Sequence, residues 1–598
     1  MPNGYDKGDG RALTAGASIA GATVHARRKL RVGLFADAAL QPRWFLDAML
    51  YALGAGFVEF VLIADGGQVP EVLPLLWRIY GFFDALVFGA PQDPSQLLNL
   101  KTGIPHAHSL SLPHADADPL QVAAWRASIK KLGLDVAFAT SRVPDEILDG
   151  TATYGVWRFF FGDKRRSREA AAAIKETAGG AGVILSGISV RLGRGYTERL
   201  VYRSWSRTFA FSLSRTRSNM LCKTAHFARR ALGDLYRSEQ DWLRDWHSRP
   251  AASLGAPLDV PGAAGAARDI AAIARRIASR SVQKLLYRDQ WFIAYRFAAE
   301  EGWHADLCKY ICLMPPKDRF WADPFPVMRN GRNYIFFEEL VFTEGKGHIS
   351  VVEVDRTGLR SGPIRVLEKD YHLSYPFILE QGGELYMIPE SGDNRTVELY
   401  RCVEFPHRWQ LEKILLAGRW FTDATLHGSG GNWWMFVNVG IEGAEPHDEL
   451  HLYSAPGILG PWKPHPRNPV KSDVRSARPA GRVYQHEGFL LRPAQICAPI
   501  YGSGVALNRV LELSADAYAE SECQRILPAR PGKLLGVHTL NRTGDLCVID
   551  GFMRRLRAGR AGMSVRVPRD KVEGPSLHAG AGRAAIREAP SISDAMGK

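Results

Sequence analysis

Two hydrophobic periodicities divide the chain. From residue 29, apolar runs alternate with helical spacing: 30–35 reads as a buried strand, 44–53 as an amphipathic helix, and 58–63 as a second strand ending in Ala64-Asp-Gly-Gly67. Residues 134–138 and 155–161 extend the series. Strand, helix, strand in this order predicts a parallel sheet, hence an α/β domain over 29–205. Between 206 and 289 the apolar period becomes helical. Residues 218–235 and 266–287 carry apolar faces opposite Arg and Lys, and a Pro/Gly/Ala-rich stretch at 250–265 separates them. This predicts a helical connector with a flexible linker, its basic face turned to solvent.

From Gln290 short strands take over, and one phrase recurs about every 50 residues, as in repeat folds. Its copies are Trp321-Ala-Asp-Pro-Phe325, Ser374-Tyr-Pro-Phe377, Phe421-Thr-Asp-Ala-Thr425, Ala477-Arg-Pro-Ala-Gly481 and Gly536-Val-His-Thr-Leu540. Each is followed by a Gly turn and an apolar or aromatic strand. The markers Asp323, Tyr375, Asp423, Arg478 and His538 stand 48 to 60 residues apart. Five such units predict a five-bladed β-propeller over 290–556. The fold class is therefore multidomain: an N-terminal α/β domain, then a C-terminal propeller. The Gly/Ala-rich stretch 1–28 and the polar stretch 557–598 lack any period, and are expected to be a disordered lead-in and a mostly disordered tail.

Composition refines this picture. At 598 residues the chain exceeds one hydrophobic core, and a 46% hydrophobic share supports globular packing. A net charge of +14 raises nucleic acid as a partner, but the basic residues are scattered and form no stripe interleaved with aromatics. No nucleic acid is expected; an anionic sugar derivative suits the charge. The seven cysteines are an odd number, mostly in apolar runs, which reads as buried thiols in a reducing compartment. Cys308 and Cys312 lack partners at zinc spacing, so no metal is expected. No cofactor is expected either, since no Gly-x-Gly-x-x-Gly follows the first strand. The longest apolar stretch, 45–64, is broken by Asp47 and Glu59, and the N-terminus has no signal pattern. These observations predict a cytoplasmic protein without a transmembrane segment. They leave the oligomeric state open.

The opening strand, 134–138 and Gly155-Val-Trp-Arg-Phe-Phe-Phe-Gly-Asp163 resemble the formyltransferase-like fold used on methionyl-tRNA and amino sugars. That resemblance implies an Asn, a His and an Asp that polarise a formyl donor and shuttle protons. The His position falls on Phe160 or Phe161, and the strand 182–190, similar to the one before the catalytic Asp, runs into Arg191-Leu-Gly193. Phe accepts no proton and Gly orients no base, so the resemblance implies a degenerate domain, with Asp163 left to cap a turn.

Residues 290–556 resemble the five-bladed propellers of family-43 and family-32 glycoside hydrolases. The order of the whole chain is similar to bacterial relatives of the N-terminal region of plant glucosamine inositolphosphorylceramide transferases. The phrases carrying this are Arg319-Phe-Trp-Ala-Asp-Pro-Phe325, His372-Leu-Ser-Tyr-Pro-Phe377, Tyr386-Met-Ile-Pro-Glu-Ser391, Phe421-Thr-Asp-Ala-Thr425, Gly460-Pro-Trp462, Arg492-Pro-Ala-Gln495 and Gly536-Val-His-Thr539. The resemblance implies that Asp323 is a base or nucleophile. It also implies that Asp423 stands where glycosidases place a catalytic Glu, and Tyr375 where they keep an auxiliary Asp.

Cleaving a glycosidic bond needs one protonated acid beside an ionised base or nucleophile. Glu390 follows an apolar strand beside Pro389 and Ser391, a setting that desolvates a carboxyl, and is the candidate acid. Glu338 and Glu339 hold the equivalent point of the first blade; they are weaker candidates, since strand alternation turns one of them to solvent. The candidate catalytic set is Asp323, Glu390 and Asp423. His372, Arg478, Arg492, Gln495 and His538 are candidate partners for sugar hydroxyls or a phosphate, and Trp321 and Tyr375 for a sugar face. The alternative for each is a residue that pins neighbouring blades. The expected function is a carbohydrate-active enzyme, hydrolase or transferase, binding a glycan or nucleotide-sugar at the channel. A non-catalytic glycan-binding or scaffold protein in surface-polysaccharide assembly is the second reading. A sugar-nucleotide formyltransferase is the third, disfavoured by Phe160, Phe161 and Gly193.

Overall fold

A computed structural model describes residues 27–557, apart from 69–72, 105–106, 115–116, 163–164, 168–170, 253–254, 259–261, 299–306 and 529–533. Most of the expected lead-in, nearly all of the tail, and Asp163 lie outside the described residues.

The N-terminal sheet has seven strands in the order Arg199–Arg207, Val183–Arg191, Val156–Phe161, Val136–Ala139, Leu30–Ala36, Val58–Asp65, His108–Ser111. The last five run parallel, and the first two form an antiparallel edge. Near-continuous apolar runs suit strands covered on both faces. Phe160 and Phe161 are each 1% exposed, and Phe161 meets Trp44 edge-on at 5.5 Å. The expected histidine position is thus core.

The segment read as a connector is packed, not spanning. Helices Leu213–Thr224 and Phe227–Arg237 place Phe227, Leu232 and Leu235 in the same apolar core as Val32, Trp44 and Phe138. Nor is their basic face solvated throughout. Lys223 Nζ meets Asp448 Oδ2 at 2.6 Å with the two side chains 0% and 4% exposed, and Arg230 binds Glu449 through two nitrogens at 2.6 and 2.8 Å. Both carboxylates belong to the propeller. Further joints are Ser204 Oγ to Ser472 Oγ at 2.7 Å, the Val474 amide to the Trp205 carbonyl at 3.1 Å, and Arg207 to Glu445 at 3.4 Å. The sheet's edge strand is thereby covered by propeller rather than left to pair with another chain.

The five blades are as expected. The first runs through Arg319–Arg329, Arg332–Val341 and Gly347–Asp355; the second through Ser374–Gln381, Glu384–Ser391, Thr396–Glu404 and Arg408–Ala417. The third comprises Phe421–Ser429, Asn432–Val439 and Glu449–Ala455; the fourth includes Tyr484–His486, Phe489–Ile496, Gly504–Leu513 and Tyr518–Ile526. The fifth joins the two ends of the repeat region. Its strands Leu540–Thr543 and Leu546–Leu556 are completed by Tyr287–Phe297 and Ile311–Leu313, with Tyr287 opposite Leu556 and Phe297 opposite Leu546. Pairing the first strand with the last closes the ring and leaves only the outer edges of the blades.

All seven cysteines are free. Cys497 and Cys547 are buried, but Cys308 and Cys523 are exposed, so the expectation of buried thiols holds only in part. No described helix is long and apolar enough to cross a membrane.

Candidate functional site

Each innermost strand of the first three blades breaks its ladder at the repeat phrase. The register shifts between Ala322 and Phe325, Ser374 and Phe377, and Thr422 and Thr425, and within each break one residue takes a left-handed backbone: Asp323 (φ 52°), Tyr375 (φ 43°), Asp423 (φ 54°). Such a bulge re-aims a side chain, and a non-glycine residue holds this conformation only where its surroundings enforce it. The five markers are all buried: Asp323 3%, Tyr375 0%, Asp423 0%, Arg478 6% and His538 2% exposed.

A second ring of polar residues stands behind them, one from the second strand of each blade. Glu338 is paired with Ala322, Glu390 with Ser374 and Asn438 with Thr422; the Gln495 amide donates to the Arg478 carbonyl and the Asp550 amide to the Thr539 carbonyl. Only Glu390, Gln495 and, more weakly, Glu338 emerge from sequence reasoning. The ring recurs with the same period as the markers, at the point where each apolar second strand turns polar, and that spacing is the signal that finds Asn438 and Asp550.

Arg478 is the hub. Its Nε and Nη2 donate to Asp423 at 2.6 and 3.1 Å, Nη2 also to Glu390 Oε2 at 3.0 Å, and Nη1 to His447 Nδ1 at 2.8 Å. Gln495 Nε2 adds a bond to Asp423 at 2.7 Å. Ser374 Oγ donates to Glu390 at 3.2 Å. Asp323 accepts from Thr539 Oγ1 and faces His538 Nε2 at 3.7 Å; the other ring nitrogen of His538 contacts Asp550, whose Oδ1 accepts the His538 and Thr539 amides at 2.8 and 3.1 Å. Among the described residues, the side chain that meets Glu338 is His372, Nε2 to Oε1 at 3.3 Å. His372 Nδ1 accepts the Gly347 amide at 2.9 Å, so in the neutral ring the proton sits on Nε2, facing Glu338.

Burial pushes the Asp323 carboxyl up to about 6; His538 opposes the shift, and Asp423 and Asp550 add to it. Burial also drives Glu338 well above the carboxylate range, helped by Asp323, Glu390 and Asp423. Glu390 moves the same way for the same first reason, against the pull of Arg478. Burial pulls His538 down, but Asp550 and Asp323 outweigh it and leave it raised. The site therefore sets an acid that ionises near neutrality beside two carboxyls kept protonated, the division of labour that acid–base chemistry requires.

Asp323, His538 and Asp550 bring ligand atoms within 4.8 Å of one another and are the described group able to hold a cation. The two nitrogens of His538 face different carboxylates, however, and a single ion engages only one of them. The arrangement suits a charged imidazole bridging two acids.

Three expected contacts, and one expected exposure, are placed differently. Trp321 is 5% exposed, donates to Glu339 at 3.1 Å and packs 5.3 Å from Phe337 in the core shared with Ile293 and Tyr295, so it offers no face to a sugar. Arg492 grips Glu520 through Nε and Nη2, both at 2.7 Å, and uses its remaining reach on the Ser476 and Ala477 carbonyls; it braces the turn before Arg478. Tyr375 gives its hydroxyl to Thr425 Oγ1 at 2.9 Å and accepts the Gly481 amide at 2.7 Å, and it is fully buried. Neither Glu338 nor Glu339 faces solvent, at 5% and 4% exposure. Burial pushes Glu339 up, but bonds from His348, Ser350, Arg319 and Trp321 outweigh it and hold it near 2, a structural role.

Residues missed from sequence line the approach. Trp291 stacks on His538 at 3.9 Å, and Tyr501 lies 5.1 Å from His447. His447 also lines a cleft of about 860 Å³ walled on one side by Arg43, Tyr51 and His226 of the α/β domain, and on the other by Arg419 and Trp420, the latter 42% exposed. The N-terminal domain is thus part of the approach to Arg478.

Residues 307–533 match the family model described as glucosamine inositolphosphorylceramide transferase 1, N-terminal. The match covers four blades and includes Asp323, Glu338, Glu390, Asp423, Arg478 and Gln495; His538, Asp550 and the α/β domain lie outside it. The glucosamine inositolphosphorylceramide transferase 1 of Arabidopsis thaliana is 34% identical over 218 residues, which cover 36% of this chain and 28% of that protein. The enzyme of the same name from Oryza sativa subsp. japonica is 34% identical over 205 residues, 34% of this chain and 27% of that protein. The matched segment thus spans under a third of these relatives. Among solved structures, a family 117 glycoside hydrolase of Zobellia galactanivorans is 12% identical with a TM-score of 0.29, covering 46% of this chain and 91% of its own.

Proposed function

We propose that the protein is a carbohydrate-active enzyme that makes or breaks a glycosyl bond at the propeller channel. The observation that carries this reading is the gathering of four buried carboxyls, Asp323, Glu338, Glu390 and Asp423, close enough for their charges to interact, with Arg478 bonding Glu390 and Asp423 and His538 facing Asp323. Asp323 is the base or nucleophile. Among the described residues no Lys or Arg pairs with Glu338, whereas Glu390 shares Arg478, so Glu338 is the first candidate acid and Glu390 the second. Asp423, with its oxygens bonded to Arg478 and Gln495, positions that arginine. The relatives' names support a glycosyl transfer, and a net charge of +14 suits an activated, anionic sugar donor. A cytoplasmic site of action accords with such a donor.

The test is turnover of nucleotide sugars and simple glycosides by wild type, Asp323→Asn, Glu338→Gln and Glu390→Gln. The reading requires loss in Asp323→Asn with sugar binding retained, and the deeper loss of the two Gln variants names the acid. A second reading, a glycan-binding protein without turnover, is favoured by one observation: Asp423 and Glu390 already have a protein cation as partner. Sugar binding by the wild type with no turnover of any donor establishes it instead.

A further inference from the structure

Beneath Tyr375 lies a second cation that the reaction site does not use. Arg482 follows Gly481, and its guanidinium carbon stands 5.9 Å from the ring centre of Phe325 and 5.5 Å from that of Phe377, the rings two residues beyond Asp323 and Tyr375 on their strands. Its amide donates to Asn541 Oδ1 at 2.9 Å, and Asn541 Nδ2 donates to the Pro324 carbonyl at 2.9 Å, so the backbone is fixed across three blades. The side chain has no such partner. Its Nε is buried without a hydrogen bond, and among the described residues no carboxylate pairs with it.

Arg482 lines a pocket of about 330 Å³ between the fourth and fifth blades, with Tyr484, Gln485, His486, Asn541 and Arg542. No Asp or Glu is among the described lining residues. A guanidinium does not shed its charge to escape burial as a lysine or carboxyl does, and aromatic faces offset only part of the lost hydration. Arg482 is half-buried with its Nε enclosed, and charges withdrawn from water in folded proteins are paired. Burial pulls Arg482 down only to about 10, so it is charged at neutral pH. A cation whose fork of donors has no hydrogen-bond partner among the described residues, in a pocket whose described lining holds no acid and includes a second arginine, matches a tetrahedral or planar oxyanion.

We propose that this pocket binds a phosphate group carried on a small polar molecule, with Arg482 as its anchor. The volume stands near the lower end of the usual range for small-molecule sites, about 300–1,000 Å³, and suits a sugar phosphate or free phosphate rather than a full nucleotide sugar. The Tyr375 hydroxyl is taken up by Gly481 and Thr425, and Arg478 is not among the described residues that line this pocket.

The experiment is thermal unfolding of the full chain, wild type, Arg482→Gln, Arg482→Lys and Arg478→Lys, titrated at constant ionic strength with inorganic phosphate, a hexose 1-phosphate and citrate. A ligand of the folded state raises Tm in a saturable way. The proposal expects a saturable rise for wild type and Arg478→Lys with at least one phosphate compound, at least tenfold weaker binding in Arg482→Lys, which keeps the charge but loses the fork, and no response in Arg482→Gln. A response to the hexose phosphate at lower concentration than to inorganic phosphate identifies the carried group, and the reverse identifies the free ion. Absence of any saturable response to either phosphate compound in wild type overturns the proposal. So does a response that Arg482→Lys leaves unchanged, one that only Arg478→Lys removes, or one confined to citrate. If Arg482→Gln does not fold, the Arg482→Lys comparison decides.

Discussion

Gly347 lies so close to Glu338 that a Cβ built on it would stand 2.8 Å from Glu338 Oε1 and 2.6 Å from the Leu373 carbonyl. Its amide also fixes the tautomer of His372, the side chain that, among the described residues, meets the Glu338 carboxyl. Gly347→Ala is therefore expected to destabilise the fold by about 1–3 kcal/mol, the usual cost of overpacking, and to displace Glu338 and His372 together. If Glu338 is the acid, kcat falls more than stability alone explains, measured well below Tm. Unchanged kcat assigns Glu338 to the scaffold and leaves Glu390.

Arg478 bonds two buried carboxyl side chains at once, Asp423 and Glu390, so its removal is expected to be severe. Arg478→Met leaves Asp423 with Gln495 alone and is expected to cost about 3–5 kcal/mol, the range for breaking a buried pair from one side. Arg478→Lys keeps a charge but not the simultaneous bonds to Asp423, Glu390 and His447. It is expected to fold and to lose sugar affinity. Denaturant unfolding of the two variants, with calorimetry on the second, checks both statements.

The pH dependence of kcat/KM follows from the protonation pattern. Asp323 must be ionised and the acid protonated. Activity is thus expected to rise through about pH 6, where Asp323 ionises, and to fall at higher pH, as the raised Glu338 or Glu390 deprotonates. On a substrate whose leaving group needs a proton, the residual activity of Glu338→Gln should lose the alkaline limb only if Glu338 supplies that proton. Retention of the limb points to Glu390.

Much of this site was legible as periodicity, and the reason is physical. A propeller repeats one backbone, so Asp323, Tyr375, Asp423, Arg478 and His538 had to share a level in the channel once their spacing was seen. What each does at that level is fixed by neighbours from other blades, which no local pattern records. Tyr375 and Arg492 looked like ligand contacts, but Gly481 and Glu520 take their polar groups. Trp321 looked like a platform, but Glu339 and Phe337 hold it in the core. The docking of the α/β domain was illegible for the same reason: Lys223 and Arg230 read as solvated helix positions until Asp448 and Glu449 were placed beside them.

Stability should depend on Asp323 in the opposite sense from most carboxylates. Its folded pKa, about 6, is above the ordinary value of 3.8, so the folded state holds the proton more tightly. The stabilisation is present in full below about pH 4 and is lost as pH rises through about 6, on the order of 2–3 kcal/mol. Glu449 and Glu520 titrate the other way. Burial opposes them, but Arg230 and Arg492 hold both near 2, and their contribution is lost as pH falls from about 4.5 towards 2. Wild-type Tm is expected to be highest near pH 5, and Asp323→Asn to flatten the decline between pH 5 and 7. A decline as steep in the variant would show that Asp323 keeps an ordinary pKa.

The joint between the domains should unfold with the rest of the molecule only while its ion pairs are intact. Lys223 and Asp448 are both buried, as is Glu449 beneath the Arg230 fork, so each half left alone is a buried, uncompensated charge. Lys223→Met and Arg230→Met are each expected to cost about 3–5 kcal/mol. The paired change Lys223→Met with Asp448→Leu removes both charges and should recover most of the loss. Because these contacts tie the α/β domain to the third blade beside the cleft that reaches His447, Arg230→Met is also expected to split one calorimetric transition into two and to weaken sugar binding. A single transition with full affinity would show that the apolar contacts and the Ser204 to Ser472 bond hold the domains without it.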